Sequence, residues 1–160
     1  MISSELSRFV ESGVSVLVGT RDASLFPESV RALGALAPAG GEEVTVFVPR
    51  ATAAATVANL GDNGRVSVCF TRIQDHRSLQ LKGGLVELRD ARADERPAVE
   101  RYRLQLAENL GWIGLPRRLS LRIASWPCHA VRFRVESVFD QTPGPGAGEA
   151  LRPPEQETLG

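Results

Sequence analysis

Lysine is almost absent from this sequence. Lys82 is the single one in 160 residues, and every other permanently charged basic side chain is an arginine. The planar guanidinium is therefore nearly the only side chain available to grip a phosphate or a carboxylate. An excess of either charge is also missing: Lys plus Arg and Asp plus Glu number 19 each. Without a basic stripe, the electrostatic footprint of phosphate-backbone binding is lacking, and nucleic acid is not an expected partner. No apolar run is long enough to span a bilayer, and Met1-Ile2-Ser3-Ser4-Glu5-Leu6 lacks the basic and then apolar layout of a secretory signal. A cytoplasmic protein with no membrane partner is the expectation. Two cysteines, Cys69 and Cys128, lie in separate strand-like segments without CxxC spacing or a histidine cluster. That excludes a disulfide framework and a zinc site by pattern and leaves reduced structural thiols. His76 and His129 have no partners at ligand or triad spacing and receive no catalytic role. A Ser-His-Asp arrangement, a paired-carboxylate motif, a Walker loop and a GxGxxG are all wanting.

What is present is strand grammar. The stretch from Val44 to Leu88 organises the chain: a strand Val44 to Pro49, a short Ala-rich helix from about Ala51 to Asn59, then Arg65-Val66-Ser67-Val68-Cys69-Phe70 and Arg77-Ser78-Leu79-Gln80-Leu81-Lys82-Gly83. The last two alternate apolar with polar residues, so each buries one face and turns the other outward. Thr52 fits an N-cap or a first-turn hydroxyl, and Gly61 and Gly64 can take the left-handed conformation that ends a helix. Upstream, 4–12 reads as a short amphipathic helix, followed by strands over 14–20 and 27–36. Gly83-Gly84 suggests a bulge or sharp bend. Downstream, Glu95 to Leu110 reads as a helix with Val99, Tyr102, Leu106 and Leu110 on its apolar stripe. Trp112-Ile113-Gly114-Leu115-Pro116 reads as an apolar connector, and 119–124 and 129–139 as further strands. The count gives a mainly β (β+α) fold, a split β-barrel of six to seven mostly antiparallel strands with peripheral helices. Residues 1–143 form that domain, and the Pro- and Gly-rich 144–160 is expected to be a flexible tail that adds little to folding.

At the level of motifs the chain resembles the pyridoxamine 5′-phosphate oxidase-like family of FMN-binding split barrels. The resemblance rests on the helix end from Asn59-Leu60 to Asn63, on Arg65 to Phe70 as the following strand, and on Arg77 to Gly83 as the next strand, ending in glycine. Phe139-Asp140-Gln141-Thr142-Pro143-Gly144 fits the closing strand of a subgroup. The resemblance implies a homodimer with a flavin in each of two grooves at its interface. It also shows departures. Where oxidases of the family carry adjacent Arg and Lys at the start of the helix to hold the FMN phosphate, this chain has Ala55 and Thr56. Arg31 stands near the place of a second Arg, but Leu36 replaces the Lys five residues on. Ser78 replaces a flavin-contacting Gln. A true pyridoxamine phosphate oxidase is not expected.

Arg31, Arg77 and Lys82 are the candidates for holding a phosphate or another anion, because charge-assisted bonds are the strong ones. Thr52, Thr56 and Ser78 add hydroxyls, and the helix start adds N–H groups. Arg50 reads as an exposed turn charge. With no catalytic motif, any chemistry belongs to the cofactor. The leading expectation is a flavin (FMN)-binding split barrel, a possible oxidoreductase of unassigned substrate. Beside it stand a non-catalytic homologue that has lost FMN and serves as a small-ligand binder or interaction module, and a relative using F420 or haem.

Overall fold

The computed structural model describes residues 1–151. In chain order it contains α1 (Ser4–Val10), β1 (Ser15–Arg21), β2 (Pro27–Arg31), β3 (Ala35–Leu36), β4 (Glu43–Pro49), α2 (Ala54–Asn63), β5 (Arg65–Thr71), β6 (Ser78–Asp90), α3 (Arg96–Trp112), α4 (Arg117–Ser120) and β7 (Cys128–Asp140). All seven strands pair antiparallel in the order β2-β1-β5-β6-β7-β4-β3. Alternation decides what faces where. Val16 and Val18 of β1, Val66, Val68 and Phe70 of β5, and Leu79 and Leu81 of β6 fill one continuous core with Phe47 and Phe133.

The two ends of that strand order are successive pieces of one segment. Arg31 stands opposite Leu17 of β1, and four residues later Ala35 stands opposite Val46 of β4. Between them Ala32 N–H donates to the Val16 carbonyl at 2.9 Å and Leu33 N–H to the Phe47 carbonyl at 2.7 Å. Segment 27–36 therefore spans β1 and β4 and curls the sheet into a barrel. Its crossing point is Gly34, at φ +106°, where a Cβ would lie 3.0 Å from that of Tyr102. Only glycine meets both demands without strain.

Closure is incomplete on one side. β4 accompanies β7 only from Cys128 to Arg134. Beyond that, the free edge of β7 is met by the chain's own residues 149–151, with Leu151 N–H donating to the Val138 carbonyl at 2.8 Å and Asp140 N–H to the Glu149 carbonyl at 2.9 Å. Residues 149–151 of the expected tail thus lie against β7, while the rest of it, 152–160, lies outside the described residues. The expected bulge is present: β6 and β7 shift register between Lys82 and Gly83, leaving Glu136 without a partner.

Two local expectations are corrected. Residues 119–124 are not a strand; α4 and a turn occupy them, and the strand that follows them, Cys128–Arg134, is already flanked by β4 and β6, so they cannot pair beside it. Thr52 does not cap α2. It lies in a 3-10 turn, Arg50–Thr52, its hydroxyl donating to the Pro49 carbonyl at 3.4 Å, and the N-cap is Ala53 without a side-chain bond. The other end of α2 follows the sequence, with Gly64 as a left-handed C-cap at φ 64°. No helix of the described residues is long and apolar enough to cross a membrane.

Candidate functional site

Strand alternation that buries Val16, Val68 and Leu81 turns a second set of side chains outward. One cross-strand row runs Arg31, Leu17, Cys69, Gln80, Phe139; the next runs Ser29, Gly19, Ser67, Lys82, Ser137; a third joins Ser15, Thr71 and Ser78. The face is polar and hydrogen-bonded at one end. Arg31 Nη1 donates to Ser15 Oγ at 3.3 Å. Ser78 Oγ donates to the His76 carbonyl at 2.8 Å, so in its 2.9 Å bond with Thr71 the Thr71 hydroxyl is the donor. Ser78 N–H in turn donates to Thr142 Oγ1 at 3.1 Å, and Gln141 Nε2 donates to Gln80 Oε1 at 3.1 Å. Thr142 also fixes its neighbour: its bonds to the Asp140 carboxylate hold that group below its ordinary pKa. Lys82 extends over the Phe139 ring, 4.9 Å from the centroid. Among the described residues neither Arg31 nor Lys82 is ion-paired.

The six residues singled out from the sequence divide among three places. Arg31 and Lys82 share the outward face; Ser78 is on that face by alternation but is buried, with Gln141 and Thr142 bonded to its backbone. Arg77, one residue before Ser78, turns the other way: its Nη2 donates to Glu5 Oε1 at 2.9 Å and its guanidinium lies 5.1 Å from the Phe9 ring centroid. That contact holds the Glu5 carboxyl below its usual value. Thr52 and Thr56 belong to the α2 end of the barrel. Thr56 is buried, and its hydroxyl has no hydrogen-bond partner; nearby in the chain, Asn59 Nδ2 donates to Thr20 Oγ1 at 3.0 Å inside the core. No hydrogen bond or ion pair joins any two of the six side chains. Arg50 is exposed, 3.8 Å from the Asp90 carboxylate. His129 Nδ1 lies 3.3 Å from the same Asp90, and His76 sits exposed at a left-handed turn position, φ 59°. Cys128 is buried, its thiol pushed up to about 11 by desolvation.

Sequence reading passed over Thr71, Gln80, Gln141 and Thr142. The signal for the first two was available, since the alternation that turns Ser78 outward turns Gln80 outward too, and Thr71 follows Cys69. Gln141 and Thr142 stand beyond the last strand, and only the return of the chain beside Ser78 brings them to the network.

The seven-stranded antiparallel order, closed by segment 27–36, defines a split barrel. Among solved structures the chain is similar to HupZ of Group A Streptococcus, with 20% identity, a TM-score of 0.55, and coverage of 92% of this chain and 100% of that one. A protein of the pyridoxinephosphate oxidase family from Clostridium acetobutylicum, related to general stress protein 26, is 21% identical at TM-score 0.53, covering 85% and 84%. An FMN-binding protein from Syntrophomonas wolfei is 14% identical at TM-score 0.51, covering 84% and 82%. These neighbours carry the fold that the sequence motifs suggested. No family model matches the chain, and no curated protein matches it.

Proposed function

We propose that the chain binds FMN on the outward face of β1, β5 and β6, as a split-barrel flavoprotein that pairs with a second copy in the cytoplasm. The observation that carries this reading is the pair of unpaired cations, Arg31 and Lys82, on adjacent cross-strand rows, with Leu17, Cys69, Ser67 and Gln80 between them and the hydroxyls of Ser15 and Thr71 in the row beyond Arg31. By register they are three strands apart and one row offset, roughly 14 Å across and about 7 Å along the sheet, a span suited to an anionic head and a flat polar ring. The residues fit an FMN, with one reservation built into the chain: the start of α2 offers Ala55 and a buried Thr56, and no cation. Arg31 is the group to hold the phosphate; Gln80 is the group to meet the ring, with Thr71 beside it. Bound flavin supplies the redox chemistry, for which this chain contributes binding, orientation and hydrogen bonds.

The test is titration of the purified protein with FMN, followed by flavin absorbance and calorimetry. Binding is expected, and Arg31→Ala is expected to weaken it by roughly tenfold to a hundredfold, the value of one charge-assisted contact. Arg77→Ala, which faces α1, is expected to leave it unchanged. Ala55→Arg adds a cation at an exposed position and is expected to tighten it. A colourless protein that ignores FMN in parent and Ala55→Arg alike overturns the reading. It then favours a non-catalytic binder, the alternative that Ala55 and Thr56 support, unless F420 or haem titrates in place of FMN.

A further inference from the structure

Where β7 loses β4 as a neighbour, a trough of about 660 Å3 opens between that strand and α1. Its lining mixes apolar side chains, Leu6 and Phe9 from α1, Leu79 from β6, Val135 and Val138 from β7 and Leu151 from the returning chain, with the polar Ser3, Glu5, Glu42, Arg77, Glu136 and Ser137. The volume lies in the range of small-molecule sites, which are mostly apolar with a few placed polar groups. Two of its charged groups, Arg77 and Glu42, mark opposite ends. Arg77 stands at the Asp140 end, because Leu79 pairs with Asp140. Glu42 stands at the other, where its carbonyl accepts from Val135 N–H at 2.9 Å. Five residues of β7 separate the ends, about 16 Å at strand rise.

We propose that this trough binds an amphiphilic monocarboxylate, its chain along Leu6, Leu79 and Val138 and its carboxylate on Arg77. The resting partner of Arg77 is replaceable. Glu5 belongs to a surface helix and is 68% exposed, so it can turn into water, whereas the guanidinium is held against Phe9. A ligand carboxylate that takes its place exchanges one ion pair for another and buries apolar surface in addition. The remaining charges narrow the class. Glu136, on the rim, is neutralised by Arg65 at 2.8 Å. Asp140 is turned to Thr142 N–H at 2.7 Å. Glu42 has no ion-pair partner among the described residues and repels a second carboxylate at the far end. A monoanion is therefore preferred over a dicarboxylate of the same length, and an uncharged analogue lacks the Arg77 contact.

Calorimetric titration with dodecanoate, dodecanedioate and dodecanol tests this on the full chain. Dodecanoate is expected to bind one per chain and more tightly than either of the others. Arg77→Gln is expected to weaken dodecanoate by roughly tenfold or more. Glu5→Gln, which removes the competing carboxylate, is expected to tighten it, and Glu42→Gln to recover the dicarboxylate. FMN titrated in parallel reports on the other face, so loss of one ligand is distinguishable from loss of the other. Absence of dodecanoate binding to both parent and Glu5→Gln overturns the proposal, as does equal affinity in a folded Arg77→Gln variant.

Discussion

Gly83 and Gly84 show how far two identical neighbours can differ. A Cβ on Gly83 would lie 1.8 Å from the Arg134 carbonyl oxygen, a backbone atom of the paired strand that cannot move without breaking the β6–β7 ladder. A Cβ on Gly84 would meet the end of the Glu136 side chain at 3.2 Å, which rotates away at little cost. Gly83→Ala is therefore expected to lower unfolding free energy by about 3 kcal/mol or more, and Gly84→Ala by less than about 1 kcal/mol, measured by urea denaturation. Equal effects would mean that the bulge is softer than this register implies. Tyr102 is a second single-residue anchor. Its phenol is buried, which pushes its pKa well above the ordinary value, and it donates to the Val14 carbonyl at 2.7 Å. Tyr102→Phe leaves that carbonyl without this donor and is expected to cost about 1 to 2 kcal/mol by the same measurement.

At the scale of elements, the joint between β6 and α3 rests on one carboxylate. Glu95, with its side chain 9% exposed, accepts from both terminal nitrogens of Arg89 at 2.7 Å and from Arg92 N–H at 2.7 Å. The Arg89 bonds chiefly, and then the Arg92 N–H, hold its carboxyl below the ordinary 4.5 despite opposing desolvation. A pKa lowered on folding means that the contribution is fully present above about 4.5 and is lost as pH falls through the folded value. Stability of the parent is expected to decline below about pH 4.5 more steeply than that of Glu95→Gln. At pH 7 the variant is expected to be less stable by roughly 1.5 to 3 kcal/mol. Parallel pH profiles for the two proteins would show that the joint is held by packing of Val99 and Tyr102 instead.

The whole molecule leaves apolar surface uncovered at the end of α3: Trp112 is 81% and Ile113 63% exposed, with Leu115 beside them. Trp126, by contrast, is partly buried against the core with Arg96 5.7 Å from its ring centroid. Leu17, central on the outward face, is 42% exposed. Such surface is more than a small monomer usually presents to water. Light scattering at micromolar concentration is expected to give twice the chain mass of 17.3 kDa, and Trp112→Ser with Ile113→Ser to shift the equilibrium toward the single chain. A single chain for the parent overturns the dimer, and with it the covered groove.

Composition and alternation alone determined the class of fold. Period-two patterning in Arg65–Phe70 and Ser78–Lys82 fixes which side chains enter the core, because burial rewards one register and penalises its neighbour. Gly83-Gly84 announced the bulge, and Gly64 the end of α2, because backbone conformation at those points depends on the residue itself. What stayed hidden depends on pairing between distant segments. Residues 119–124 alternate like a strand, yet only the finished sheet shows that β4 and β6 already flank the strand that follows them. Arg31 and Arg77 look equivalent in the sequence as cations at strand ends. Alternation separates them, since Arg77 precedes the outward row of Ser78 and Gln80 by one residue, but only the folded barrel shows that Phe9 and Glu5 of α1 lie where it turns.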